Sequence, residues 1–223
     1  MTPDGDLSPL TLEQFRRGAA SPHPMPAGVA IAAVSASFAL GLVAKVLAVS
    51  ARRNTLPQNT AGLEPVTAAA QAASQRMLQL AGADTAAFEA YLTAKRLPRA
   101  TETERRVRQE AIDVAVRHAI DLPLAAAQEA AAGLQLCSDG CRFVPPALAA
   151  DVGVAATLLA SALRSFLLCA QSNVRQLAPD AASYRERLAI ETKRHEQALR
   201  QAEAVLGHAR TVVAEAPMAG VQP

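Results

Sequence analysis

Between Ala27 and Ala44 the chain runs for eighteen residues without a charge. Such a stretch approaches the roughly 20 residues that cross a bilayer as a helix. It has three possible destinations: a membrane span, a signal peptide, or a helix covered on all sides by protein. Its composition favours the third. Ala, Ser and Gly dominate over Leu and Ile, and Lys45 interrupts the run before Val46 to Val49. Small residues insert weakly into lipid. A signal peptide is disfavoured because the run lies late, behind Asp4, Asp6 and Glu13, and exceeds the usual apolar length. A helix apolar around most of its circumference belongs at the centre of a bundle. Membrane insertion is therefore the weaker alternative, and no membrane partner is expected.

A second run, Ala147 to Leu177, is also strongly apolar. The rest of the 223 residues fits around these two helices as one domain. About 51% of residues are hydrophobic but only 3% aromatic, so core volume comes from Ala, Leu and Val. Small side chains let helices approach closely, and apolar faces left over are expected to pack against a second copy in a homodimer. Lys and Arg total 22 against 20 Asp and Glu, a net charge of +2, which gives no basic footprint for nucleic acid. Cys137, Cys141 and Cys169 match no zinc spacing and read as reduced thiols in a cytoplasmic protein. A local disulfide between Cys137 and Cys141 is the less favoured alternative.

Caps and breakers mark the remaining elements. Residues 1–9 and 213–223 are expected to be disordered tails flanking a helical domain over 10–212. Thr11 to Ala20 is a short helix stopped by Pro22, Pro24 and Pro26. The buried helix then runs to about Arg53, followed by a loop over Asn54 to Gly62. Pro65 opens a helix ending near Ala81-Gly82, and Asp84 to Arg96 forms another, stopped by Leu97-Pro98. Thr101 and Glu104 have capping-box spacing at the start of a long helix. Pro123 either kinks that helix or begins a new one from Leu122 to Leu136. Cys137 to Pro146 reads as a loop. Ser183 to Thr211 has apolar residues at helical spacing and forms an amphipathic outer helix. No strand pattern competes, so the fold class is all-α: a single-domain helical bundle with two long apolar central helices.

Four stretches resemble one family. Ala20-Ser21 leads through Pro24-Met25-Pro26-Ala27-Gly28-Val29 into the Ala-rich helix. Asp84-Thr85-Ala86-Ala87-Phe88 is followed by Ala94-Lys95-Arg96-Leu97-Pro98-Arg99, Thr101, Glu104 and Arg108. Asp121-Leu122-Pro123-Leu124 forms a third motif. Ala150-Asp151-Val152-Gly153 opens the second apolar helix, with Asn173 further along it. Over residues 12–206 these resemble the family that contains the cyclodeaminase domain of formiminotransferase-cyclodeaminase and the bacterial methenyltetrahydrofolate cyclohydrolases. The departures are Ala27 and Val29 in the family's triple-glycine loop, Ala150 for its Ser, and Cys169 for its first Asn.

The resemblance implies a one-carbon folate substrate, 5-formimino- or 5,10-methenyltetrahydrofolate, and no metal or redox cofactor. It also implies Asp84 as the catalytic proton-transfer group; position alone would make this residue a helix N-cap. Asp151 and Asn173 are candidate substrate contacts, against the alternatives of a helix-dipole partner and a buried interhelical hydrogen bond. Gly28 could admit an anion to a helix N-terminus, or simply aid packing. Lys45 either meets an anionic ligand, pairs with an acid, or snorkels to solvent. Arg105, Arg106 and Arg108 alternate with acids as a solvated face. His195-Glu196 begins a zinc-protease pattern, but Leu199 stands where the second ligand belongs, so no metal site follows. A non-catalytic, ligand-binding or structural dimer remains the alternative function.

Overall fold

A computed structural model describes residues 7, 9–53, 62–177 and 182–215. Among them the chain forms six α-helices and no strand: α1 (Leu12–Ala19), α2 (Gly28–Arg53), α3 (Leu63–Arg96), α4 (Glu102–Cys141), α5 (Ala149–Val174) and α6 (Ala182–Glu215), with a 3₁₀ turn over Pro146–Leu148 before α5. Thr11 and Thr101 both close reciprocal capping boxes, the first with Gln14 and the second with Glu104. Each box satisfies donors that a helix start leaves free.

The uncharged run is the centre of the bundle. Helix α2 packs against α3 and α5, α4 closes the far side against α3 and α5, and α6 lies across α4 and α5. Both α2 and the Pro146–Val174 segment are long and apolar enough to cross a membrane, yet most of α2 is buried by neighbouring helices. Close approach depends on small residues at particular positions. A Cβ on Gly133 of α4 would lie 2.8 Å from Leu40 Cδ2, and one on Gly140 only 2.6 Å from Leu47 Cδ2. Leu40 and Leu47 are two turns apart on α2, and Gly133 and Gly140 are two turns apart on α4, so the glycines form holes for the leucines. Between α2 and α3, Ser37 Oγ donates to the Ser74 carbonyl at 2.9 Å and Ser74 Oγ to the Ser37 carbonyl at 2.8 Å.

Several expected breaks are absent. The chain does not stop at Gly82: α3 is continuous from Leu63 to Arg96. Its buried face simply carries on through Met77, Ala81 and Thr85 at four-residue spacing, which outweighs the roughly 1 kcal/mol helix penalty of a glycine. Asp84 consequently lies inside a helix and is not an N-cap. Pro123 likewise lies within one helix, where Ile120, Leu124 and Ala127 keep a common buried face. The first part of the expected Cys137 to Pro146 loop is instead the last turn of α4, which runs to Cys141, and Gly140 is a packing glycine there. Cys137, Cys141 and Cys169 are free thiols.

The second apolar helix ends at Val174, and backbone bonds from Gln176 and Leu177 to the Asn173 and Val174 carbonyls tighten its exit. The expected tails and the 54–62 loop fall largely outside the described residues. Of the described part, Leu7 is buried in the core cluster and α6 continues to Glu215.

Candidate active site

Four helix segments converge on a cavity of about 250 Å³. Asp84, Phe88 and Tyr91 enter from α3 at positions i, i+4 and i+7, which share one helix face. Met25, Ala27, Gly28 and Val29 bring the start of α2 to the cavity, and Val116 and Ala119 come from α4. The last turns of α5 contribute Cys169, Ser172 and Asn173, with Gln176 just beyond the helix end. These four again repeat at i, i+3, i+4 and i+7, a polar stripe on a helix that is otherwise mostly apolar.

Asp84 is the ionisable group at the centre of this arrangement. Burial disfavours its charged form and lifts its pKa from 3.8 to about 6, while the backbone N–H of Ala30 works against that shift. Ala30 belongs to the first turn of α2, whose N–H groups have no partner within the helix. One donor at the start of α2, the Ala30 N–H, is therefore directed at the protein's own carboxylate. Gly28 lies in the same turn: a Cβ there would sit 3.4 Å from Cys169 Sγ, in ordinary contact, so the glycine adds room between α2 and α5. Burial, and secondarily the neighbouring Asp84 charge, raise the Cys169 pKa. A thiol held that way is a neutral, compact wall of the cavity and not a nucleophile.

Asn173 Nδ2 donates to the Ala119 carbonyl at 2.7 Å, tying α5 to α4 at the cavity wall. Tyr91 stands near Phe88, with ring centroids 6.3 Å apart, and Lys95 Nζ lies 5.4 Å from the Tyr91 ring centroid. Phe88 and Tyr91 give the cavity an aromatic side against which a planar ring can rest.

Of the residues singled out in the sequence, the fold brings together Asp84, Gly28 and Asn173. Lys45 and Asp151 do not line the cavity. Lys45 is exposed on α2, seventeen residues past Gly28, or roughly 25 Å along the helix axis. Asp151 lies in the first turn of α5, at the opposite end of that helix from Asn173, where it meets the positive end of the helix dipole. The sequence reading assigns no role to Tyr91, Ser172 or Gln176, although Tyr91 stands seven residues from Asp84, and Ser172 and Gln176 three and seven from Cys169, which is the available signal. Among the described residues no group of His, Cys, Asp and Glu is arranged to hold a metal. His195 is buried on α6, its Nδ1 against the Glu191 carbonyl.

Comparison with known proteins gives one consistent result. The sequence profile of the formiminotransferase-cyclodeaminase family matches residues 11–194. The chain is 29% identical over 178 residues to a methenyltetrahydrofolate cyclohydrolase of Methylorubrum extorquens, covering 80% of this chain and 85% of that protein. It is 28% identical over 195 residues to the formimidoyltransferase-cyclodeaminase of Sus scrofa, covering 83% of this chain but only 35% of the pig protein. In architecture it resembles the crystal structure of a formiminotetrahydrofolate cyclodeaminase from Thermotoga maritima, with a TM-score of 0.76 at 19% identity over 93% of this chain and 97% of that one.

Proposed function

We propose a function on one premise: the chain belongs to the formiminotransferase-cyclodeaminase family. The proposed activity is hydrolysis of 5,10-methenyltetrahydrofolate, with Asp84 as the proton-transfer group. The bacterial relative named a cyclohydrolase is matched over most of its length, whereas the chain spans about a third of the pig enzyme.

The observation that carries the proposal is a half-buried carboxylate whose pKa is raised to about 6, set in a cavity with aromatic and amide walls. Hydrolysis of an amidinium carbon requires a group that accepts a proton and returns it near neutral pH. In the proposed sequence the Asp84 carboxylate takes one proton from an attacking water as its oxygen bonds to the methenyl carbon. The same proton passes to the nitrogen whose bond to that carbon breaks. The hydroxyl proton leaves as the formyl carbonyl forms, so one proton is released in all. Carbon is neither oxidised nor reduced, and the proposal calls for no redox cofactor. Phe88 and Tyr91 support the ring, and the α2 N-terminus and the α5 polar stripe supply its hydrogen-bonding surroundings.

We further propose a homodimer. Supporting it, Ile31 and Phe38 lie exposed, two turns apart, on the largely buried α2, and Phe38 retains 61% of its accessible surface. Purified protein mixed with methenyl-folate tests the activity through loss of the methenyl absorbance, with formimino-folate and ammonia release as the parallel assay. Turnover of the methenyl substrate supports the proposal, and turnover of the formimino substrate alone would reassign it to cyclodeamination. Calorimetric binding of folate with no turnover of either substrate would instead mark a non-catalytic binder.

A further inference from the structure

Pro123 lies in the middle of α4 and has no N–H to return to the carbonyl of Ala119, four residues earlier. Ala119 forms part of the cavity wall, and a backbone carbonyl there needs a donor from elsewhere. That donor is Asn173 Nδ2, 2.7 Å from the Ala119 oxygen. A side-chain amide has one donor end and one acceptor end. Committing Nδ2 to Ala119 fixes which end remains, since a flipped amide would set two carbonyl oxygens against each other.

We propose that Pro123 is a positioning residue: by withholding its N–H it locks the Asn173 amide and fixes Oδ1 as an acceptor for N–H donors of the substrate. The consequence is selectivity. A ligand edge carrying N–H groups, such as the amino and ring N–H groups of a reduced pterin, meets an acceptor at Asn173 Oδ1, while an edge carrying only acceptors finds no partner at that atom. The substrate half of this inference rests on the folate function proposed above; the Pro123–Asn173 couple does not.

Unfolding in urea and steady-state kinetics on methenyl-folate, each measured for Pro123→Ala, Asn173→Ala and the double variant, test both halves. Pro123→Ala supplies a backbone N–H that can return to the Ala119 carbonyl. Asn173→Ala should therefore lower the urea midpoint in the unaltered chain, and lower it by less than about half as much in the Pro123→Ala background. Pro123→Ala alone leaves the Asn173 amide free to rotate and should raise KM about three- to tenfold, with kcat within about twofold. Equal midpoint shifts in the two backgrounds would overturn the couple. An unchanged KM in Pro123→Ala would overturn the selectivity. Absence of turnover by the unaltered chain would overturn the folate function and the substrate half with it, while the unfolding comparison still decides whether Pro123 holds Asn173.

Discussion

At the scale of single residues, Asp84 sets a cost against a use. Its pKa in the folded chain is about 6, above the ordinary 3.8, so between those values the folded state holds a proton that the unfolded state has lost. Stability from this group is complete below pH 3.8, declines as pH rises and is gone above about pH 6. At neutral pH the charged carboxylate therefore destabilises the fold. Asp84→Asn, neutral at every pH, should be more stable than the unaltered chain at pH 7 by about 1–3 kcal/mol, with partial solvent access favouring the lower figure. The gap should close below about pH 4, as urea unfolding across pH will read. The sequence showed Asp84 only through its motif. Its burial could not be read there, because the groups that enclose it come from residues 25–29 and 169–176, far away in the chain.

At the scale of elements, the uncharged run and the capping residues made most helices legible. Boundaries are hidden in the sequence wherever a glycine or proline lies within a helix. Gly82 and Pro123 each lie inside a helix whose buried face continues past them, and Gly140 sits in the last turn of α4 against Leu47; each depends on partners in other helices. The two kinds of glycine make opposite predictions. Gly207 of α6 has nothing within 4 Å of where its Cβ would be, so Gly207→Ala should stabilise by about 0.5–1 kcal/mol through helix propensity. At Gly133 the same change drives a methyl against Leu40 and Leu159, both fully buried, with contacts of 2.8 and 3.2 Å. Gly133→Ala should destabilise by about 1 kcal/mol or more despite the propensity gain. Urea midpoints of the two variants check both signs.

At the scale of the whole molecule, a core built from Ala, Leu and Val leaves apolar surface uncovered, and this motivates the proposed dimer. Light scattering at low micromolar concentration should report twice the chain mass, and Phe38→Ser should shift it toward the monomer; a well-folded monomer of the unaltered chain would contradict the assembly. The cavity too is a property of the whole bundle, since its residues meet only when α2, α3, α4 and α5 pack together. The cavity is proposed to carry out proton-transfer catalysis on a one-carbon folate through Asp84. The most direct test is the buffer-corrected rate of methenyl-folate hydrolysis from about pH 5 to about pH 8, for the unaltered chain and Asp84→Asn. The rate should rise through about pH 6 as the carboxylate ionises and then level off, with the variant at least about a hundredfold slower throughout. A variant that matches the unaltered chain, or a profile without an inflection near that pH, would contradict the claim.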